Sequence, residues 1–151
     1  MRVERVVRQA RAIVGVRQVV ALEDLADFVG RAYAAVSGEL ARLRVRPAGP
    51  AVALFVGEVT EKADVVAGLP LCASVEPGDA FVVAHLPGGP TIETVHHGTY
   101  DDLEDTYCEF LAWMAERDLE PAAQMWEEYL AGPYTGADPA RWCTRIVFPL
   151  A

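Results

Sequence analysis

The sequence predicts an α+β fold: one antiparallel sheet built from two strand–helix–strand–strand repeats, with both helices on one face and a ligand groove between them. Two observations carry this. Short apolar, β-branched segments contrast with two stretches where apolar residues recur at three-and-four spacing, which separates strands from helices. The order strand, helix, strand, strand then occurs twice at a shift of roughly 73–80 residues, with negligible identity between the copies. At 151 residues and 52% hydrophobic, the chain reads as one domain over 1–151, with halves of roughly 1–76 and 77–151.

Each element follows from its residues. Residues 10–20 are β-branched with Gly15 inside, so they read as a strand with a bulge. Residues 22–43 read as a helix. Leu22, Leu25, Phe28, Val29, Ala32, Tyr33, Val36, Leu40 and Leu43 form its apolar stripe, and Glu23 and Asp24 sit where the N-terminal dipole favours acids. Pro47-Ala48-Gly49-Pro50 ends it, and strands follow at 51–57 and 63–72. Strands at 80–86 and 91–97 flank Pro87-Gly88-Gly89-Pro90, which reads as a hairpin turn. Thr99 and Asp102 have the spacing of a helix start, and the helix runs over 100–119 until Pro121 stops it. Its inner side carries Leu103, Tyr107, Phe110, Leu111 and Met114. Strands at 123–130 and 142–148 close the chain around a loop with Pro133, Gly136 and Pro139.

Composition narrows the function. A net charge of −9 and pI near 4.7 weigh against gripping phosphate backbones, so no nucleic-acid partner is expected. No uncharged apolar run reaches the roughly 18 residues of a spanning helix. Arg2, Arg5, Arg8, Arg11 and Arg17 interrupt any signal-peptide core, so no membrane partner and a cytoplasmic location are expected. Cys72, Cys108 and Cys143 are odd in number and widely spaced, which reads as buried reduced thiols. Residues 93–128 carry eleven acids against one arginine. A solvated helix face accounts for most of that charge. The same run also permits an acidic inhibitor that competes with DNA on a basic enzyme, though nothing else supports a protein partner.

One acid stands apart. In Gln124-Met125-Trp126-Glu127-Glu128-Tyr129-Leu130, strand alternation sends Glu127 to the face of Met125 and Tyr129, and Trp126 with Glu128 to the other. A carboxylate beside rings, in poor hydration, needs a partner or a raised pKa. The local sequence supplies no cation, and a planar organic cation is the chemistry that suits it. Tyr33, Tyr107, Tyr129, Trp113 and Trp126 are candidate walls, with Phe28, Leu111 and His96 beside them. Glu128 reads as a solvent residue. Adjacent strand positions face opposite ways, so His96 and His97 cannot chelate one metal, and His85 has no ligand spacing with them; neither metal nor cofactor is expected.

The ordered set His97-Gly98-Thr99-Tyr100 at a helix start, Trp126-Glu127-Glu128-Tyr129-Leu130 followed by Pro133, and Trp142-Cys143-Thr144-Arg145-Ile146-Val147-Phe148-Pro149 resembles the GyrI-like small-molecule-binding family. That family includes effector domains of multidrug-responsive regulators and stand-alone proteins. The resemblance covers essentially the whole chain. It implies a duplicated strand–helix–strand–strand fold with a pocket between the halves for lipophilic, often cationic, aromatic compounds. It also implies that Glu127 is the central acid, with Tyr129 beside it. The regulators' helix-turn-helix extension is not seen here, so a stand-alone, drug-resistance-type binder is expected. Some members resemble hydrolases of cyclopropane-bearing alkylating natural products. On that reading Glu127 would be catalytic, with Tyr129 or Tyr107 as proton donor.

Overall fold

The computed structural model describes residues 1–150. Eight strands form one sheet: β1 (Val3–Arg8), β2 (Arg11–Ala21), β3 (Val52–Val56), β4 (Lys62–Leu71), β5 (Val82–Leu86), β6 (Gly89–His97), β7 (Gln124–Ala131) and β8 (Cys143–Pro149). Two helices interrupt them, α1 (Leu25–Leu43) and α2 (Leu103–Ala115). The spatial order β1-β6-β8-β7-β3-β4-β2-β5 is palindromic about the β7–β3 pair, and every pairing is antiparallel. The α+β duplicated fold is therefore present, with a leading strand added to each half.

Those leading strands are exchanged between the halves. β1 pairs with β6 of the second half, and β5 pairs with β2 of the first. Val3 faces Thr94, Arg8 faces Gly89, Arg11 faces Leu86 and Gly15 faces Val82, so one register runs through both breaks. Only two residues separate β1 from β2 and β5 from β6, a reach of at most about 10 Å. Short links between opposite ends of the strand order force the sheet to curl. Pro87–Pro90 is accordingly no hairpin turn, because β5 and β6 are not neighbours; they are successive parts of one long arm. β1 went unread in the sequence because its interspersed charges, Glu4, Arg5 and Arg8, look like a charged terminus.

Alternation then sorts the side chains onto two faces. The outer face carries α1 and α2. Phe28, Val29, Ala32, Val36 and Leu40 of α1 pack on Val14, Ala53, Phe55, Val65 and Ala67, while Phe110 and Met114 of α2 pack on Ile92, Ile146 and Phe148. α1 ends where Arg44 turns left-handed (φ 58°) and the Val45 N–H bonds back to Leu40. α2 is shorter than read, stopping at Ala115, with Asp118 left-handed beyond it. No Thr99 side chain caps its start.

The inner face of the curl buries Ile13, Val52, Leu54, Val66, Leu86, Trp126 and Val147 without any helix over them. Beside this cluster Arg8 and Arg145 pair with Glu93 and Glu128, and Trp126 Nε1 donates to Glu128 at 2.9 Å. Glu128 is thus 2% exposed, not a solvent residue. Gly15 makes no bulge. It faces Gly68, where β2 and β4 approach so closely that a Cβ on Gly15 would lie 2.7 Å from the Ala67 carbonyl oxygen. The cysteines are free, with Cys72 and Cys108 exposed rather than buried. No described helix is long and apolar enough to cross a membrane.

Candidate functional site

Glu127 sits at the middle of β7, flanked across the sheet by Ala53 of β3 and Ile146 of β8. Neither neighbour offers a charge. The carboxylate is 3% exposed, and no Lys or Arg pairs with it among the described residues. Two tyrosine hydroxyls hold it instead: Tyr107 of α2 donates to Oε2, and Tyr129, two positions along β7, donates to Oε1 at 2.8 Å. Burial pushes the Glu127 carboxyl above the ordinary carboxylate range. The two hydroxyls and His96 offset that only in part. Burial likewise pushes the phenols of Tyr107 and Tyr129 well up, reinforced by the Glu127 charge, so both stay protonated donors.

All five tyrosines of the chain surround this carboxylate or wall the way to it. The pairing register of β7 shifts between Tyr129 and Ala131, where the strand ends, and after Gly132 a 3-10 turn (Pro133–Thr135) turns Tyr134 back onto the site. Its ring lies edge-on to Tyr129 at 5.8 Å and tilted against Tyr33 of α1 at 5.3 Å. A second 3-10 turn (Tyr100–Asp102) ahead of α2 presents Tyr100, 6.2 Å from Tyr129 and 5.4 Å from Trp142. Outside these rings runs an open groove of about 470 Å³, lined by Ala26, Asp27, Gly30 and Arg31 of α1 and by Tyr100 and Tyr134. Tyr100 and Tyr134 line the groove, and Glu127 does not.

The sequence-derived candidates divide accordingly. Glu127, Tyr107, Tyr129 and Tyr33 come together. His96 lies on the same face but is fully engaged, with Nδ1 2.7 Å from Thr106 Oγ1 and Nε2 donating to the Thr99 carbonyl at 2.8 Å. Phe28 is a core residue under α1. Trp126 points into the inner face, because alternation puts it opposite Glu127. Leu111 is 44% exposed on the outer side of α2, one residue round from the buried Phe110. Trp113 packs at the edge of the α2 cluster with the Arg117 guanidinium over its ring. Tyr100, Tyr134 and Trp142 were missed: they sit in turns where no periodicity marks the inward side. The only signal was the family-like context of Tyr100 and the Pro133 beside Tyr134. No group of three His, Cys, Asp or Glu among the described residues could hold a metal ion.

Comparison with known proteins fits this architecture. No curated protein matches the chain. Among solved structures, the EcmrR chain of a cryo-EM EcmrR–DNA complex superposes with a TM-score of 0.79 at 18% identity, over 99% of this chain and 56% of that one. This chain therefore spans about half of that protein. SAV2435, solved bound to tetraphenylphosphonium, gives 0.72 at 14% identity, covering 100% and 94% of the two chains. A structure described as a hydrolase from Listeria innocua gives 0.65 at 15% identity, covering 99% and 91%. At such identities these likenesses speak to the fold. The sequence pattern of the GyrI-like small molecule binding domain, by contrast, matches residues 1–151 directly, and with it the protein belongs to the GyrI-like family of small-molecule-binding domains.

Proposed function

We propose that the protein binds lipophilic aromatic cations between α1 and α2, with Glu127 as the counter-charge and the tyrosines as stacking walls. The observation that carries this is a buried carboxylate with no cationic partner among the described residues, held only by phenol hydroxyls. An isolated buried charge is costly, and an entering cation relieves that cost while the rings add about 0.5–2 kcal/mol each by cation–π contact. The neighbour solved with tetraphenylphosphonium supports a ligand of this class for the fold. Because Glu127 is 3% exposed and does not line the groove while Tyr100 and Tyr134 do, entry on this reading takes a movement of those two rings. Titrating tetraphenylphosphonium and a rhodamine dye tests the reading. Binding near the micromolar range is expected, weakened about tenfold or more in Glu127→Gln. Equal affinity in parent and variant would sink it.

A second reading has its own support. A carboxyl raised by burial and set between two phenol donors has the composition of a general base with proton donors. On this reading Glu127 takes a proton from water as the water oxygen bonds to a strained ring carbon of a bound aromatic; the ring bond that breaks (C–O in an epoxide, or C–C conjugated to a carbonyl in a cyclopropane) leaves its electron pair on an oxygen, which Tyr107 or Tyr129 protonates. Mass spectrometry of a panel of such compounds would register a water adduct. Glu127→Gln should lower turnover by about 10²–10⁴ while leaving the binding of a neutral substrate nearly intact.

A further inference from the structure

Two buried side-chain hydroxyls make no hydrogen bond among the described residues, Tyr100 Oη and Thr144 Oγ1, and both stand at the Glu127 site. Buried polar atoms are nearly always satisfied, so two exceptions in one place need a physical reason. Thr144 is fully buried on β8, directly across from Tyr129 on one side and His96 on the other. Tyr100 lies edge-on to the same Tyr129, and its hydroxyl sits where a Cβ on Gly132 would come within 3.1 Å. The Tyr100 and Tyr134 hydroxyls interact at the margin of hydrogen-bond range without reaching ordinary hydrogen-bond geometry, so Tyr100 Oη is weakly satisfied at best. The neighbouring hydroxyls of Tyr107 and Tyr129 are already committed to Glu127. His96 has both ring nitrogens engaged. Among the buried hydroxyls, these two are left with a hydrogen to donate to a guest.

We infer that the ligand carries, beside its cationic aromatic body, a hydrogen-bonding oxygen or nitrogen that is met by Tyr100, with Thr144 as a second contact at the floor of the site. This rests on the cation-binding reading and narrows it, from any lipophilic cation to oxygen- or nitrogen-substituted ones. A buried hydroxyl left unpaired in the empty protein gains most from such a group, and a bare hydrocarbon cation gains nothing from it.

The test uses a matched pair, N-methylquinolinium and N-methyl-6-methoxyquinolinium, titrated calorimetrically into the whole protein. The methoxy compound should bind about 5–10-fold more tightly to the parent. Tyr100→Phe or Thr144→Val should erase that preference, read as the ratio of the two cations' affinities within the same variant, whatever happens to their common affinity. Loss of the preference in either variant supports the inference; its persistence in both, or its absence from the parent, overturns it. Binding of both cations in a Glu127-dependent way without any preference defeats this inference alone, whereas failure of both to bind defeats it together with the cation reading. Thermal melts of the unliganded variants add an independent readout. Removing an unpaired hydroxyl should leave the melting temperature unchanged or raised, and a clear drop in both variants would mean that the hydroxyls are structural.

Discussion

Glu127 carries a stability cost that the proposed cation would relieve. Its folded-state pKa is raised above its unfolded value, so the folded protein holds that proton to higher pH. The sign is fixed: stability is fully present below the ordinary carboxylate range, near 4.3, and is lost as pH rises through the raised folded value. Glu127→Gln removes this loss. The variant should match the parent in melts near pH 4 and exceed it at neutral pH, where the parent has lost the proton. Cation binding should show the opposite pH trend in the parent. A cation competes with the proton, so affinity should climb from pH 5 to pH 8, and Glu127→Gln should be flat across the same range. That Glu127 faces rings was legible from alternation within β7 alone. That its partners are Tyr107 and Tyr129 hydroxyls, with Tyr100 and Tyr134 in front, required the turns that deliver them.

Among the elements, β2 and β4 depend on the Gly15–Gly68 pair. The sequence shows Gly15 as an interruption and suggests a bulge, because a glycine in a strand has no side chain to pack. Its actual role is to let two curved strands approach, with each backbone occupying the space a Cβ would need. Gly68→Ala pushes a methyl into the Val14 carbonyl. It should cost about 3 kcal/mol in urea unfolding, whereas Gly38→Ala, with open space around it, should be neutral or slightly stabilising. The loop before β5 is tied to α1 by Glu39, which accepts the Gly78 N–H at 2.7 Å and pairs with Arg42. Those two contacts hold its carboxyl down to about 2, so the tie persists until strongly acid pH.

In the whole molecule, the exchange of β1 and β5 locks the halves together. Arg8, at the end of β1, bonds Glu93 of β6 in a two-point grip and reaches Glu128 of β7 at 3.2 Å. Burial pushes the Glu93 carboxyl up, but Arg8, Thr91 and Arg145 outweigh it and hold it below the ordinary range. Arg8→Met takes the two-point grip from Glu93, leaving it Thr91 and the Arg145 guanidinium at 3.8 Å, and should cost about 2 kcal/mol, after allowing for the solvent that Arg8 still sees. The Glu93 contribution is present above the ordinary carboxylate range and lost as pH falls through the depressed value, so the cost should shrink toward acid. Arg2→Met, removing an exposed pair with Glu4, should be silent in the same denaturation series.

Periodicity and order by themselves determined the α+β class, the two helices, the duplicated arrangement and the side of the sheet to which Glu127 points, because each depends on neighbours within one segment. Tertiary structure alone decided the rest. The charged run Val3–Arg8 becomes a strand only because β6 waits in the other half, and Glu128 becomes buried only because the curled sheet brings Arg8 and Arg145 to it. The tyrosine cage closes only where turns from distant parts of the chain meet. Those contacts join residues far apart in sequence through irregular backbone, and irregular backbone has no period to read.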